Sequence, residues 1–181
     1  MEGYLLDTNV ISILMRPNDP RYLDVKAKFE KLGVSPVYLP VIAIAEIEYG
    51  MAKADSPNEQ QRNAVRRFFA DYPNHLAIDD NTIEPYALIR AQLWRDHATR
   101  KGSRHKEKLP EELVHRESGK LLGIDERDLL IASVAAQYGL ILATYDQNIG
   151  MKAIDAAGAY LERMGFPIRL RINYWGQEKK E

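Results

Sequence analysis

Four acidic side chains in this 181-residue sequence are each tied to an apolar segment, and these pairings are its first chemical signal. Asp7 ends the run Tyr4-Leu5-Leu6, and Glu46 follows Ile42-Ala43-Ile44-Ala45. Asp128 precedes Leu129-Leu130-Ile131-Ala132, and Asp146 comes after Leu140-Ile141-Leu142-Ala143-Thr144-Tyr145. Taken singly, each has a plain structural role. Asp7 suits the cap of a helix beginning near Val10, and Glu46 a solvated position on an amphipathic helix. Asp125 and Asp128 suit the first turn of a helix, where the dipole favours negative charge, and Asp146 suits a turn. Taken together they pose an electrostatic problem. Carboxylates held against a core lose hydration and repel one another, so they must carry a proton, find a cationic partner or share a metal ion. Few basic residues lie beside them in sequence. A hard divalent cation with oxygen ligands, Mg2+ or Mn2+, is the economical solution.

The elements that must position these acids follow from periodicity and punctuation. Gly3–Leu6, Val37–Leu39, Leu76–Ile78, Leu140–Thr144 and Ile168–Ile172 read as short strands. Between them lie helices. One opens at Asp19-Pro20 and stops at Gly33, one runs from Val41 to about Ala54, and one is announced by a capping box at Ser56-Pro57-Asn58-Glu59. A long helix starts near Thr82, a buried one spans Asp125–Gln137, and a last one spans Lys152–Arg163. Strands alternating with helices, two of the strands continuous apolar runs, indicate an α/β fold with a central parallel sheet covered by helices on both faces. Chemistry in such sheets gathers at the carboxyl ends of strands, where Asp7 and Asp146 fall.

Composition removes several alternatives. There is no cysteine, which excludes disulfides, zinc–thiolate sites, iron–sulfur clusters and a thiol nucleophile. The 25 Lys and Arg against 26 Asp and Glu leave a net charge of −1, so no global basic field announces a nucleic-acid partner. Met1-Glu2-Gly3-Tyr4 lacks the basic start of a signal peptide, and no apolar run approaches membrane-spanning length, so a cytoplasmic protein with no membrane partner is expected. One segment departs from the average. Arg95, Arg100, Lys101, Arg104, Lys106 and Lys108 stand against Asp96 and Glu107, a local balance of +4. It reads as an exposed insertion near 98–120 or a helix extension, with Arg100, Lys101 and Arg104 as candidate phosphate contacts and a solvated segment as the plain alternative. His97, His105 and His115 have no metal-ligand spacing and read as solvated. Arg90, one turn before Trp94 on a mostly apolar face, reads as a paired or snorkelled arginine, or as one aimed at the acids.

The motifs also carry a resemblance. Leu5-Leu6-Asp7-Thr8-Asn9-Val10-Ile11-Ser12, Ala45-Glu46-Ile47-Glu48-Tyr49-Gly50, Asp128-Leu129-Leu130-Ile131-Ala132-Ser133 and Ala143-Thr144-Tyr145-Asp146, in that order, resemble the PIN-domain ribonucleases, and among them the VapC-type toxins of toxin–antitoxin pairs. The likeness covers about residues 3–150. It implies a single PIN-like domain over 1–181, with 151–181 forming a carboxy-terminal helix, strand and tail. It also implies a metal-dependent endoribonuclease that hydrolyses RNA phosphodiester bonds. Asp7, Glu46, Asp128 and Asp146 would be its catalytic acids and the ligands of Mg2+ or Mn2+, supported by Thr8, Asn9 and Thr144, with Asp125 as an outer acid. The partners implied are RNA, a cognate antitoxin protein and a second copy of the chain. The segments near 98–120 and after Met151 exceed the family's common length, leaving substrate choice and partner geometry open. Two rivals stand beside this reading. An aspartate-dependent phosphatase or phosphotransferase would want a second Asp where Asn9 stands, and a non-catalytic PIN-like module would keep the fold and bind a protein.

Overall fold

The computed structural model describes residues 2–54, 58–101, 104–105 and 109–176, the side chains of 100, 101, 104 and 105 excepted. Contacts divide the chain into two compact units. The first holds the residues up to Ala77, Ile141–Asp146 and the segment from Asn173; the second holds Ile78–Leu140 and Gln147–Ile172.

The first unit begins with β1 (Tyr4–Leu6), α1 (Thr8–Leu14), α2 (Tyr22–Glu30), β2 (Val37–Pro40), α3 (Val41–Ala52), α4 (Glu59–Asp71) and β3 (His75–Leu76). Leu5, Leu6, Val10, Ile11, Val25, Leu39 and Ala43 have no exposed surface, so the strands and the inward faces of the helices make one core. The capping box expected at Ser56 and Pro57 lies outside the described residues. The observed cap is Asn58, whose side chain accepts a hydrogen bond from the Gln61 N–H at 3.0 Å.

The second unit supplies α5 (Ile83–His97), the two-residue strands β4 (Arg100–Lys101) and β5 (Arg104–His105), and α6 (Glu126–Tyr138). β6 (Ile141–Thr144) returns to the first unit, α7 (Ile149–Arg163) belongs to the second, and β7 (Arg171–Tyr174) ends the series. The charged segment does not extend α5. The helix closes at His97, and an antiparallel pair follows with Arg100 opposite His105, then a 3-10 turn at Pro110–Glu112 and a bridge between Val114 and Leu121. His97 departs from the solvated reading: its Nδ1 is buried without a hydrogen-bond partner, and burial lowers its pKa.

The sheet order is β3-β2-β1-β6-β7. β1 pairs in parallel with β2 (Tyr4 opposite Val37) and with β6 (Leu6 opposite Ala143), and β2 pairs in parallel with β3. The chain therefore leaves β1 toward one edge, through β2 and β3, and returns on the opposite side of β1 as β6. Such a reversal opens a crevice at the carboxyl ends of the two central strands. Asp7 follows β1 and Tyr145-Asp146 follow β6, so topology alone brings these sequence-distant motifs together.

The last strand starts at Arg171 rather than Ile168. The alternation that suggested Ile168–Ile172 is real as burial, since Ile168 and Leu170 are almost covered. Its cause is helix packing, however. Leu170 sits against Gly158 of α7, where a Cβ would come within 2.8 Å of the Leu170 side chain. Gly150, on the same face of α7, meets backbone instead: a Cβ there would lie 2.8 Å from the Leu122 carbonyl oxygen and 3.0 Å from the Ile124 nitrogen. Backbone cannot step aside as a side-chain tip can. Gly150→Ala is therefore expected to destabilise by roughly 1–3 kcal/mol, as overpacking does. Gly50→Ala, where a Cβ meets nothing within 4 Å, is expected to stabilise by about 0.5–1 kcal/mol through helix propensity. Urea unfolding of the two variants checks the contrast.

Candidate active site

Asp7 ends β1 and starts α1, and both roles follow from its neighbours. Leu5 and Leu6 anchor the strand in the core, and the carboxylate caps the helix by accepting the Thr8 N–H at 2.7 Å. The result is an acid with 2% of its surface exposed. Its second oxygen, Oδ2, accepts from Asn9 Nδ2 at 2.7 Å and from the Thr144 hydroxyl at 2.7 Å.

Thr144 is the hub of this arrangement and is itself fully buried. Its hydroxyl donates to Asp7, accepts from Asn9 Nδ2 at 3.2 Å, and accepts from the Asp146 N–H at 3.0 Å. One donor and two acceptor positions are thus all used. Asn9 ties the same two loops from the other side, its Oδ1 accepting the Tyr145 N–H at 2.9 Å. Trp175 completes the brace, its N–H donating to the Thr144 carbonyl at 2.7 Å. Glu46 enters from α3 and accepts the Thr8 hydroxyl at 2.6 Å. Asp7, Thr8, Asn9, Glu46, Thr144 and Asp146 accordingly belong to one unit and are joined by short polar contacts or by charge.

The second unit carries the other expected acids. Asp128 is half-buried in the first turn of α6. Asp125 is the cap of α6, accepting the Arg127 N–H at 2.9 Å and pairing with the Arg127 guanidinium, which holds its carboxyl below the usual range. Arg90 has the paired role that its sequence position allowed. It pairs with Glu126 at 3.0 Å, stacks on the Tyr86 ring at 5.4 Å and hydrogen-bonds the Tyr86 hydroxyl, which itself donates to Glu126.

Burial pushes the Asp7 carboxyl up to about 6, against the Thr144 and Thr8 hydrogen bonds that favour its charged form; the charges of Asp146 and Glu46 push it further up. The donor chemistry fits a hard divalent cation: Asp7, Glu46 and Asp146 are three carboxylates that act on one another through charge, and Asp7 is buried. Their geometry is open rather than closed, since among the described residues no group of three or more His, Asp or Glu side chains stands ready to hold a metal.

Reasoning from sequence missed the Tyr145 side of the site. Arg21, locked by Asp19 at 2.7–2.9 Å, stacks over the Tyr145 ring at 5.5 Å. The contact joins residues far apart in sequence, and no periodicity announces it.

Two consequences are measurable. Between the ordinary carboxylate value of 3.8 and about 6, the folded state holds the Asp7 proton while the unfolded state has lost it. The native state then binds more protons, so metal-free stability falls as pH rises through this window, and the cost is complete above about pH 6. A shift of about two units corresponds to roughly 3 kcal/mol. Asp7→Asn is expected to remove that pH dependence, read as the urea midpoint of both proteins in chelator from acid to mildly alkaline pH. Thr144→Val leaves the Asp146 N–H and the Asp7 oxygen without their buried partner, with an expected cost of about 1–3 kcal/mol and a still higher Asp7 pKa, checked by the same titration.

Comparison with known proteins places this arrangement. The family model described as "PIN domain" matches residues 4–156. Ribonuclease VapC14 of Mycobacterium tuberculosis is 35% identical over 68 residues, covering 38% of this chain and 64% of its own length. The chain thus aligns with somewhat under two-thirds of that curated relative. Among solved structures, FitAcB from Neisseria gonorrhoeae is 27% identical, with 84% of this chain and 93% of that chain covered and a TM-score of 0.56. VapBC-5 from Mycobacterium tuberculosis, a member of the VapBC family of toxin–antitoxin systems, is 21% identical, covers 96% and 99% of the two chains, has a TM-score of 0.52 and shows the fold alone. With a match over most of its length, this chain belongs to the PIN-domain family.

Proposed function

We propose that this chain is a metal-dependent endoribonuclease and the toxin of a toxin–antitoxin pair. The observation that carries the reading is the state of Asp7: a buried carboxylate at the switch point of a parallel sheet, beside two like charges, supplied with three hydrogen-bond donors to its charged form. A fold that only needed a helix cap would not assemble that. The ribonuclease among the relatives and the toxin–antitoxin systems among the neighbours support the same reading.

Asp7, Glu46 and Asp146, with Asp128, are the residues assigned to hold the metal. Mg2+ and Mn2+ both fit their oxygens. When bound, such an ion lowers the pKa of its water and neutralises charge on a phosphodiester. The chain's own residues do the positioning. Thr144 and Asn9 fix the Asp7 carboxylate and the loop bearing Asp146, and the Thr8 hydroxyl holds Glu46. Arg100, Lys101 and Arg104, on β4 and β5, are assigned to RNA phosphates on their charge.

A protein partner has its own support. α3 is apolar in sequence yet fully buries only Ala43, leaving Val41 43% and Tyr49 64% exposed. That surface suits an antitoxin or a second copy of the chain. No helix among the described residues is long and apolar enough to cross a membrane, and we assign the protein to the cytoplasm.

The open carboxylate geometry favours one second reading, a PIN-like module that binds protein without catalysis. Incubating a mixed RNA pool with wild type and Asp7→Asn, in Mn2+ and in chelator, decides between them. Cleavage is expected only for wild type with metal, the variant losing at least the roughly 100-fold that removal of a metal site's outer partner costs. Mn2+ is also expected to stabilise wild type by about 2.7 kcal/mol at a hundredfold excess over its dissociation constant. Cleavage that survives Asp7→Asn overturns the site, and a folded protein that neither cleaves nor responds to metal is the binding module.

A further inference from the structure

Burial alone gives α2 little reason to lie where it does. Val25 is its one buried residue, and Leu23 is left 77% exposed. Its polar contacts give a reason. Arg21, whose carbonyl accepts the Val25 N–H at 3.1 Å, stands one turn before Val25, and Lys28 stands one turn after it, so the three share a helix face. Val25 anchors that face in the core and the two cations flank it. Arg21 lies over the Tyr145 ring. Lys28 donates to the Trp175 carbonyl, 147 positions away, and the Trp175 N–H holds the Thr144 carbonyl at 2.7 Å. Thr144 and Tyr145 are the two residues that lead into Asp146.

Each cation already has an acid on its own segment. Asp19 grips Arg21 through two side-chain bonds at 2.7 and 2.8 Å, and Asp24 accepts from Lys28 at 3.1 Å. Exposed pairs of this kind add little stability by themselves. What they leave is geometry: a guanidinium plane held still against a ring, and an ammonium group directed at a backbone carbonyl. Trp175 is almost wholly buried, and both polar groups of its backbone are engaged, one by Lys28 and one by Thr144. Fixing that peptide fixes the residue whose hydroxyl holds Asp7 and accepts the Asp146 N–H.

We propose that α2 is a clamp on the carboxylate site, with Lys28 and Arg21 as positioning residues that act through Trp175 and Tyr145 on Thr144 and the Asp146 loop. What the clamped site binds rests on the ribonuclease reading; the contacts of the clamp do not.

Amide hydrogen exchange in chelator and calorimetry with Mn2+ alone test it, on wild type, Lys28→Met, Lys28→Arg, Arg21→Met and Lys26→Met. Lys26 is the control, a cation of the same helix that pairs with Glu30 and lies over Tyr22. Lys28→Met and Arg21→Met are expected to speed exchange of the Tyr145 and Asp146 N–H groups about 10-fold, with the Leu39 N–H of β2 unchanged. They are also expected to weaken Mn2+ binding roughly 10-fold. The sign is diagnostic, because loss of a positive charge would by charge alone tighten Mn2+ binding. Lys26→Met is therefore expected to leave the affinity unchanged or tighter. Lys28→Arg keeps a charged donor on a long stem and is expected to restore both readouts. With RNA and metal present, the two clamp variants lower kcat and leave KM near wild type. The clamp is overturned if both variants exchange at Tyr145 and Asp146 as wild type does. It is equally overturned if the Leu39 N–H speeds by the same factor, the mark of a general loss of stability, or if Mn2+ affinity holds or tightens in both. If wild type binds no Mn2+, the ribonuclease reading falls, and the exchange rates alone uphold or overturn the clamp.

Discussion

Asp7 follows a strand whose last two residues are fully buried, with two carboxylates near enough to resist its ionisation, and the local architecture is organised around keeping that group available. A lone buried carboxylate would hold its proton, so its environment must be made polar without letting water in. The protein does this with a backbone N–H, an amide and a hydroxyl, each from a residue whose own position is fixed by something else. Thr144 is set by β6 and by the Trp175 N–H on its carbonyl, and Asn9 by the Tyr145 N–H. The desolvation that raises the Asp7 pKa is also what would strengthen its grip on a divalent cation, because the same low dielectric that disfavours three like charges magnifies their attraction to a positive one.

That constraint accounts for the shape of the sheet. β1 must be central, since only a strand paired on both sides presents its carboxyl end between two neighbours, and β6 must lie beside it for Thr144 to reach Asp7. Tight packing then becomes a requirement elsewhere. In the second unit α6 buries seven of its residues, and α7 uses glycines at 150 and 158 to come close to backbone and to Leu170. The Arg90–Glu126 ion pair shares the Tyr86 hydroxyl, and these mutual hydrogen bonds limit the cost of covering the charges.

Rigid and adaptable surfaces are accordingly separated. Asp7 and Asp146 follow strand ends, Asp128 lies in the first turn of α6 and Glu46 in the second turn of α3, and hydrogen bonds that cross between loops brace Asp7 and the Asp146 loop. A groove along α1, α3 and α4 is lined by apolar side chains such as Met15, Ile47 and Met51 and by the charged Arg16, Glu46 and Lys53.

Much of this was legible in the chain before folding. An acid at the end of a short apolar run fixes both the strand and the acid's depth, which is why β1, β6 and the buried α6 fall close to where periodicity put them, and why Asp7, Glu46 and Asp146 could be singled out. Local signals failed where burial had a different cause from the one its period suggested. The alternation before Arg171 reflects helix contacts, not strand pairing, and the charged stretch after His97 folds into a small antiparallel pair because its helix has no further apolar face to bury. The residue types able to do chemistry, and the elements that bear them, are readable from the chain because both follow from neighbours a few positions apart. Folding alone brings Thr144 to Asp7 across 137 positions and seats Arg16 and Lys53 in one groove with Glu46. Those relations depend on strand order and helix packing, which no local spacing encodes.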